Sequence, residues 1–303
     1  MLPLALSLAV LVGLALGLLG GGGSILTLPI LQYVVGLEAH EAIAASLFVV
    51  GMTSLAAIIP HARAGRVHVK VGLVFGAASM VGAYSAGRFA KLIPPGILLV
   101  LFAIMMVVTA IMMLRPKRGD AVEAALGDIR FTPKQLVKIA LEGLVVGAIT
   151  GLVGAGGGFL VVPALVILGG LPMRTAVGTS LMVIAMKSFA GFAGHASALH
   201  LDWPLMLGIT AAALFGSIFG ARLAGVVDPA KLRRGFGWFV VVMGAFMLTQ
   251  EVPKLLDLHW PFAVALIVAA ITALIAVGIE ALLKRQRLPA TPSLNAPPLT
   301  KGS

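Results

Sequence analysis

A block of this sequence occurs twice. GLLGGGGSILTLPIL at Gly17–Leu31 returns as GLVGAGGGFLVVPAL at Gly151–Leu165, 134 positions later. The offset holds without a gap from Gly17/Gly151 to Leu114/Leu248 and gives 33 identical pairs in 98. Shared apolar composition would match Leu, Val and Ala, but it would not align Pro29 with Pro163, His61 with His195 and Arg88 with Arg222. The chain is an internal duplication. In a membrane protein, paired repeats with glycine-interrupted apolar segments at matching positions point to a transporter whose substrate site lies between the halves.

Composition supplies the membrane. Of 303 residues, 60% are hydrophobic and 11% charged, and the mean hydropathy is +1.09; a soluble chain carries about 25% charged residues. Apolar runs recur near the ~20 residues that a helix needs to cross hydrocarbon. Cysteine is absent, which excludes disulfide and thiolate chemistry. The six histidines show no metal-ligand spacing, so no metal site and no cofactor are implied. The net charge of +11 sits in short loops beside apolar spans, with no basic domain or aromatic platform, and therefore reports topology rather than a nucleic-acid partner.

Spans are read at 41–60, 69–88, 95–114, 174–194, 203–222, 234–250 and 261–283. Two further apolar stretches, 3–36 and 135–170, are too long for one upright span, and a glycine cluster interrupts each. Either each crosses once with a broken middle, or each enters and returns as a re-entrant hairpin. Charge decides between these. With single crossings the tail Lys284–Arg287 and the loop carrying Arg222, Lys231, Arg233 and Arg234 fall opposite Arg63, Arg66 and Lys70. With hairpins every strongly basic loop shares one face, as the positive-inside rule demands. The expected fold is thus an all-α polytopic membrane protein of two inverted repeats, each a glycine-broken re-entrant hairpin plus three transmembrane helices. Repeat 1 covers 1–114, a cytoplasmic linker 115–134, repeat 2 135–250, an extra C-terminal span 261–283 and a disordered cytoplasmic tail 284–303. The N-terminus is expected outside and the C-terminus in the cytoplasm. The apolar start resembles a signal peptide's core but lacks a basic lead-in and continues into the repeated motif, so it is expected to be structural.

The glycine clusters let a helix stop and another start inside the membrane. Candidate substrate-binding residues there are Gly20, Gly21, Gly22, Gly23 and Ser24, with Gly154, Ala155, Gly156, Gly157 and Gly158 in the second copy. A second half-helix starting near Ser24 or Gly158 presents unpaired amides and the positive end of its dipole, which suits an anion. The alternative is that the glycines only allow close helix packing. No GK[ST] follows either cluster, so neither is a nucleotide loop.

Other candidates follow from the cost of burial. Lys187 lies in the middle of a span, where an ionised lysine costs roughly 2.5–3.5 kcal/mol, and its repeat mate is Thr53. It is expected to serve as an anion counter-charge or gate, unless it pairs with a helix end or snorkels. Ser46 and Ser180, with neighbouring Thr179, and Ser54 and Ser188 recur at matched depth and can donate to an oxyanion, or can bond back to their own helix carbonyls. His61 and His195 end equivalent helices on opposite faces, suited to proton coupling, to guarding two entrances, or to simple capping. Arg88 and Arg222 close the next helices and read as orientation anchors.

The paired glycine motifs, the ASL and TSL elements (Ala45–Leu47, Thr179–Leu181) and the dipeptides Pro60-His61 and Gly194-His195 make residues from about 5 to 283 resemble the TauE/SafE family. That resemblance implies an integral protein of the cytoplasmic (inner) membrane that moves sulfur-containing anions such as sulfite or organosulfonates. The expected function is a secondary exporter of small anions working by alternating access, with the two elbow tips meeting near the midplane around the anion. A passive anion channel is the alternative, and an intramembrane scaffold or enzyme ranks last because acid/base pairs are missing from the spans. The anion and the lipid bilayer are the expected partners; the sequence leaves the oligomeric state open.

Overall fold

The computed structural model describes residues 2–19, 24–114, 133–154, 158–167, 170–196, 202–223 and 229–256. The expected C-terminal span, the tail and nearly all of the linker lie outside these residues. Among the described residues there is no strand. The helices are α1 (Leu2–Leu19), α2 (Thr27–Ile30) running on into a π turn (Leu31–Val35), α3 (Ala39–Arg63), α4 (Val69–Ala90), α5 (Pro95–Leu114), α6 (Pro133–Val153), α7 (Gly158–Ile167), α8 (Met173–Ala196), α9 (Trp203–Leu223) and α10 (Pro229–Leu255). Among the described residues, five helices are long and apolar enough to cross a membrane: Ala39–Arg63, Val69–Ala90, Gln135–Val153, Thr175–His195 and Trp203–Gly220. The protein is thus an all-helical polytopic membrane protein.

Two details differ from the sequence reading. The segment 135–170 has unequal arms: Gln135–Val153 is long enough to cross by itself, whereas α7 has 10 residues, about 15 Å at 1.5 Å per residue. The first copy is similar, with α1 of 18 residues, about 27 Å, followed by the short apolar helix Ser24–Val35. The basic residues Lys231, Arg233 and Arg234 ride on the first turns of α10 rather than in a loop, because Pro229 starts that helix early with a preset φ.

Helix ends follow local chemistry that also recurs between copies. Gly36 (φ +84°) and Gly170 (φ +65°) stand at matched positions in the left-handed region. Over them Leu37 N–H donates to the Leu31 carbonyl at 3.1 Å and Leu171 N–H to that of Leu165 at 3.0 Å. Glycine there avoids the Cβ penalty and lets the short helix close on itself. His68 caps α4, its ring nitrogen accepting from Val71 N–H at 3.3 Å.

The most extensive packings join the two copies: α4 with α6 and α8, α1 with α9, α5 with α10, and α3 with α8. A Cβ on Gly13 would strike the Ala213 carbonyl oxygen, and one on Gly147 would strike that of Ser79. Likewise Gly216 sits on the Val10 carbonyl and Gly82 on that of Leu144. Each pair is the other shifted by 134, with the partners exchanged. Backbones this close need residues without side chains, the usual means of helix association where lipid is as apolar as leucine.

Contact registers fix directions. Gly143, Gly147 and Gly151 lie on Phe75, Ser79 and Ala83 in turn, so α6 runs parallel to α4; Gly72 on Thr179 and Gly87 on Gly191 make α4 parallel to α8. In α3 and α8 the order reverses, with Leu47 on Gly191, Gly51 on Phe189 and His61 on Gly178. Glu41, Val49, Asp202 and Ile209 line one cavity, and of these only Val49 and Ile209 also line a second one, so α3 and α9 are parallel. Gly13 on Ala213 and Gly220 on Leu14 make α1 parallel to α9 as well. Hence α1 and α3 point one way, and α6 and α8 the other. Arg63, Arg66, Lys70, Lys138 and Arg234 gather with Glu142 at one end of the helices. Glu38, Glu41, Asp202 and Glu251 share the other end with Arg88, Lys91 and Lys254. We call these the basic and carboxylate faces.

Gly216→Val is expected to lower the melting temperature in detergent, by an overpacking cost of about 1–3 kcal/mol, because its side chain would enter the Val10 carbonyl. Gly235→Val, whose Cβ meets nothing within 4 Å, should melt like the parent. Equal melting of both variants would show that the α1–α9 approach does not bear on stability.

Candidate functional site

The register between α3 and α8 sets Thr53 and Lys187 at nearly the same height, halfway along both helices. Lys187 is 2% exposed. Its amine donates to the Thr150 hydroxyl of α6, and that hydroxyl donates onward to the Val146 carbonyl at 2.7 Å. Thr53, its repeat mate, bonds back to the Val49 carbonyl of its own helix at 2.8 Å, and the mate of Thr150 is Leu16. The same location is polar in one copy and nearly apolar in the other.

Several sequence candidates are occupied by the fold. Ser46 Oγ donates to the Gly154 carbonyl at 3.0 Å, and a His195 ring nitrogen lies 2.9 Å from the Gly151 carbonyl. These two side chains hold the second elbow, where Gly154 (φ +74°) releases carbonyls that lipid cannot satisfy. Thr179 accepts from His68 N–H at 2.9 Å and so fastens the start of α4. Ser180 bonds back to the Val177 carbonyl at 2.8 Å.

Others remain unpaired. Ser54 and Ser188, mates across the repeat, are 1% and 0% exposed, and neither hydroxyl has a partner among the described residues. Thr27, in the first turn of α2 and 3% exposed, has a hydroxyl in the same state. The His61 Nδ1 nitrogen is buried near the basic face, again with no partner among the described residues. Ser24 is fully buried at the start of the short helix. Gly158 begins α7, while Gly20, Gly21, Gly22, Gly23, Ala155, Gly156 and Gly157 lie outside the described residues.

The described start of the second elbow lies off mid-height. Gly154 packs against Ile43 so closely that a Cβ would stand 2.7 Å from the Ile43 Cγ2, and its carbonyl accepts from Ser46. Ser46 is seven residues, about 10 Å, from the height of Thr53 on the carboxylate side. The short helix Ser24–Val35 runs antiparallel to α3, for Leu31 and Leu37 adjoin Glu41 and Ala45, and Thr27 and Ile30 adjoin Val49. Its N-terminus therefore points toward the basic face. The first arm α6, 21 residues long, is long enough to carry Gly154 past the middle.

Two contributions escaped the sequence reading. Thr150 carries a signal only when it is compared with Leu16 at the same time as Lys187 with Thr53. Glu251 is 3% exposed on α10 and accepts from Tyr33 Oη at 2.9 Å and Lys254 Nζ at 3.0 Å. It ties the π turn to α10, and the mate of Tyr33 is Ile167, so this tether exists on one side.

The chain is a closely interlocked helical membrane protein with a buried lysine and, among the described residues, unpartnered hydroxyls at mid-depth, and its relatives place it among membrane transporters. The family profile "Sulfite exporter TauE/SafE" matches residues 5–247, and the chain belongs to that family. It is 33% identical over 244 residues to a "Probable membrane transporter protein" of Xylella fastidiosa (strain 9a5c), covering 80% of this chain and 92% of that protein. It is 28% identical over 263 residues to "Probable membrane transporter protein MJ0441" of Methanocaldococcus jannaschii, covering 82% and 96%. With YdhB of Bacillus subtilis, also a "Probable membrane transporter protein", the identity is 25% over 238 residues, covering 78% and 96%. No solved structure matches the chain.

Thr150→Val is expected to destabilise the protein by about 1–3 kcal/mol, since it removes the acceptor of the buried Lys187 amine. Adding Lys187→Met should return most of that loss in a thermal melt, because no donor then stays unpaired. Additive losses in the double variant would show that the two side chains are not coupled.

Proposed function

We propose that the protein is a secondary exporter of small anions, in keeping with its family a carrier of sulfur oxyanions or organosulfonates such as sulfite. Two inverted repeats alternate access to a central site. The observation that carries this reading is the coincidence, at mid-depth, of Lys187 with hydroxyls on Ser54, Ser188 and Thr27 that have no partner among the described residues. A buried hydroxyl without an acceptor is costly, and an oxyanion supplies acceptors. The first-turn amides of Ser24–Val35 add donors beside Thr27. Repeat inversion draws support from the opposite directions of α1/α3 and α6/α8 and from glycine contacts that recur with partners exchanged. The basic face is assigned to the cytoplasm by the positive-inside rule, which puts the N-terminus outside and the Lys284–Arg287 tail inside the inner membrane. Proton coupling is assigned to His61, whose buried Nδ1 has no partner among the described residues, in preference to His195, which is committed to the elbow.

The test is flux into proteoliposomes of sulfite, thiosulfate, sulfate and an organosulfonate, each with and without a pH gradient. Saturable uptake of at least one of them is expected; none across the panel overturns the proposal, and non-saturating flux indifferent to the pH gradient identifies a channel. Ser54→Ala and Ser188→Ala are each expected to raise KM about tenfold, the ~1.4 kcal/mol of one hydrogen bond, with melting unchanged or raised. A fall in melting with unchanged KM would make those serines structural.

A further inference from the structure

Between the short helix Ser24–Val35, α3 and α9 lies a cavity of about 100 Å³, lined by Leu31, Leu37, Glu41, Ala45, Val49 and Asp202 with neighbouring α9 residues. Its rim is at the carboxylate face, where Asp202 is exposed and Glu41 half-buried. Deeper in, a void of about 10 Å³ borders Thr27, Ala9, Val12 and Ala213. Leu31, Val49 and Ile209 line both spaces, so one apolar layer separates them. Beyond that layer stands Thr27, whose buried hydroxyl has no partner among the described residues. The rim carboxylates are engaged with helix starts: Asp202 Oδ1 accepts from Leu205 N–H at 3.1 Å, and Glu41 sits in the first turn of α3, where the helix dipole favours it.

The 134-residue offset names the counterpart of every lining residue. Leu31, Leu37, Val49, Leu205 and Ile209 correspond to Leu165, Leu171, Val183, Val71 and Phe75, and Thr27 corresponds to Val161. Those six counterparts belong to one buried apolar cluster with Ala164 and Ile139. None is more than 1% exposed; Leu31 and Val49 are buried alike, but Leu37 and Leu205 are half-buried where Leu171 and Val71 are fully buried. Phenylalanine in place of Ile209 adds bulk, Val161 replaces the unpartnered hydroxyl of Thr27, and on the rim His68 replaces Asp202 and bonds through its N–H to Thr179, the counterpart of Ala45.

We propose that these are the two halves of the anion path: the half lined by Leu31, Val49 and Ile209 is open to the carboxylate face, and its counterpart around Leu165, Val183 and Phe75 is shut toward the basic face. The closed side is a thick plug and the open side a single apolar layer, the arrangement of a carrier caught with one entrance formed. This rests on the transport reading for the identity of the occupant, a small anion, but not for its test. The path is opened or shut by which short helix stands away from α3/α9 or α8/α4. The tether of Tyr33 to Glu251 holds the end of the short helix on the open side.

The chain has no cysteine, so single cysteines can be placed on a silent background. Leu205→Cys and Val71→Cys, in right-side-out and inside-out vesicles, are exposed to a small membrane-impermeant cationic thiol reagent. Leu205→Cys is expected to react at least tenfold faster from the carboxylate face than from the basic face. Val71→Cys is expected to react at least tenfold more slowly than Leu205→Cys, and only from the basic face. Introducing Ile209→Phe, which copies Phe75 into the open half, should slow Leu205→Cys labelling at least tenfold. Equal labelling of the two cysteines, labelling of Leu205→Cys from the basic face, or no effect of Ile209→Phe overturns the proposal. Labelling requires no transport, so a failed flux assay and a failed accessibility pattern are separate results.

Discussion

Lipid offers no hydrogen-bond partner, and the arrangement of polar side chains in this protein follows from that constraint. Where the second elbow breaks its helix, the carbonyls of Gly151 and Gly154 are taken up by His195 and Ser46. Both donors come from other helices, so the break is also a cross-link: α6 cannot end as it does unless α3 and α8 are already beside it. The same need pairs Lys187 with Thr150 and fastens Thr179 to the start of α4. Once those demands are met, few polar groups are left over at mid-depth among the described residues. Those few are Ser54, Ser188 and Thr27.

Association of the helices rests on backbone contact. Gly13, Gly82, Gly147 and Gly216 let the α1–α9 and α4–α6 pairs approach until a methyl group would strike a carbonyl. Each pair joins one copy to the other. The halves are therefore interleaved, and a motion of one against the other has to rearrange the short helices and their loops while these close contacts persist. The short helices are suited to that role, being about half the length of a span and ended by glycines in the left-handed region.

The duplication, the helical class and the positions of the longer helices were legible because each leaves a periodic or compositional mark. The 134-residue offset in particular named contact pairs, such as Gly13/Ala213 with Gly147/Ser79, that no hydropathy profile contains. Among the candidate residues, Lys187, Ser54 and Ser188 stand out in the sequence because polarity inside an apolar run is rare. Which carbonyl or amide Ser46, Thr179 and His195 would bond was not legible, whereas the back-bond of Ser180 was one of the two readings open to it. A hydroxyl that receives an anion and one that braces a carbonyl look alike in sequence, and only the position of Gly154 against Ile43 separates them. The depth of Gly154 is not legible for a related reason: the sequence marks where α6 breaks, but not how far its 21 residues carry that break across the helix bundle.

Lys187 and Thr150 stand where the other copy has Thr53 and Leu16. A device made of two identical halves would be indifferent to the direction in which it is traversed. An amine bonded to a hydroxyl in one half, against a self-bonded hydroxyl and a plain aliphatic chain in the other, breaks that indifference, so the surroundings at the halfway point are unlike in the two halves. Duplication furnished a two-fold frame, and divergence at positions such as these gave it unlike ends.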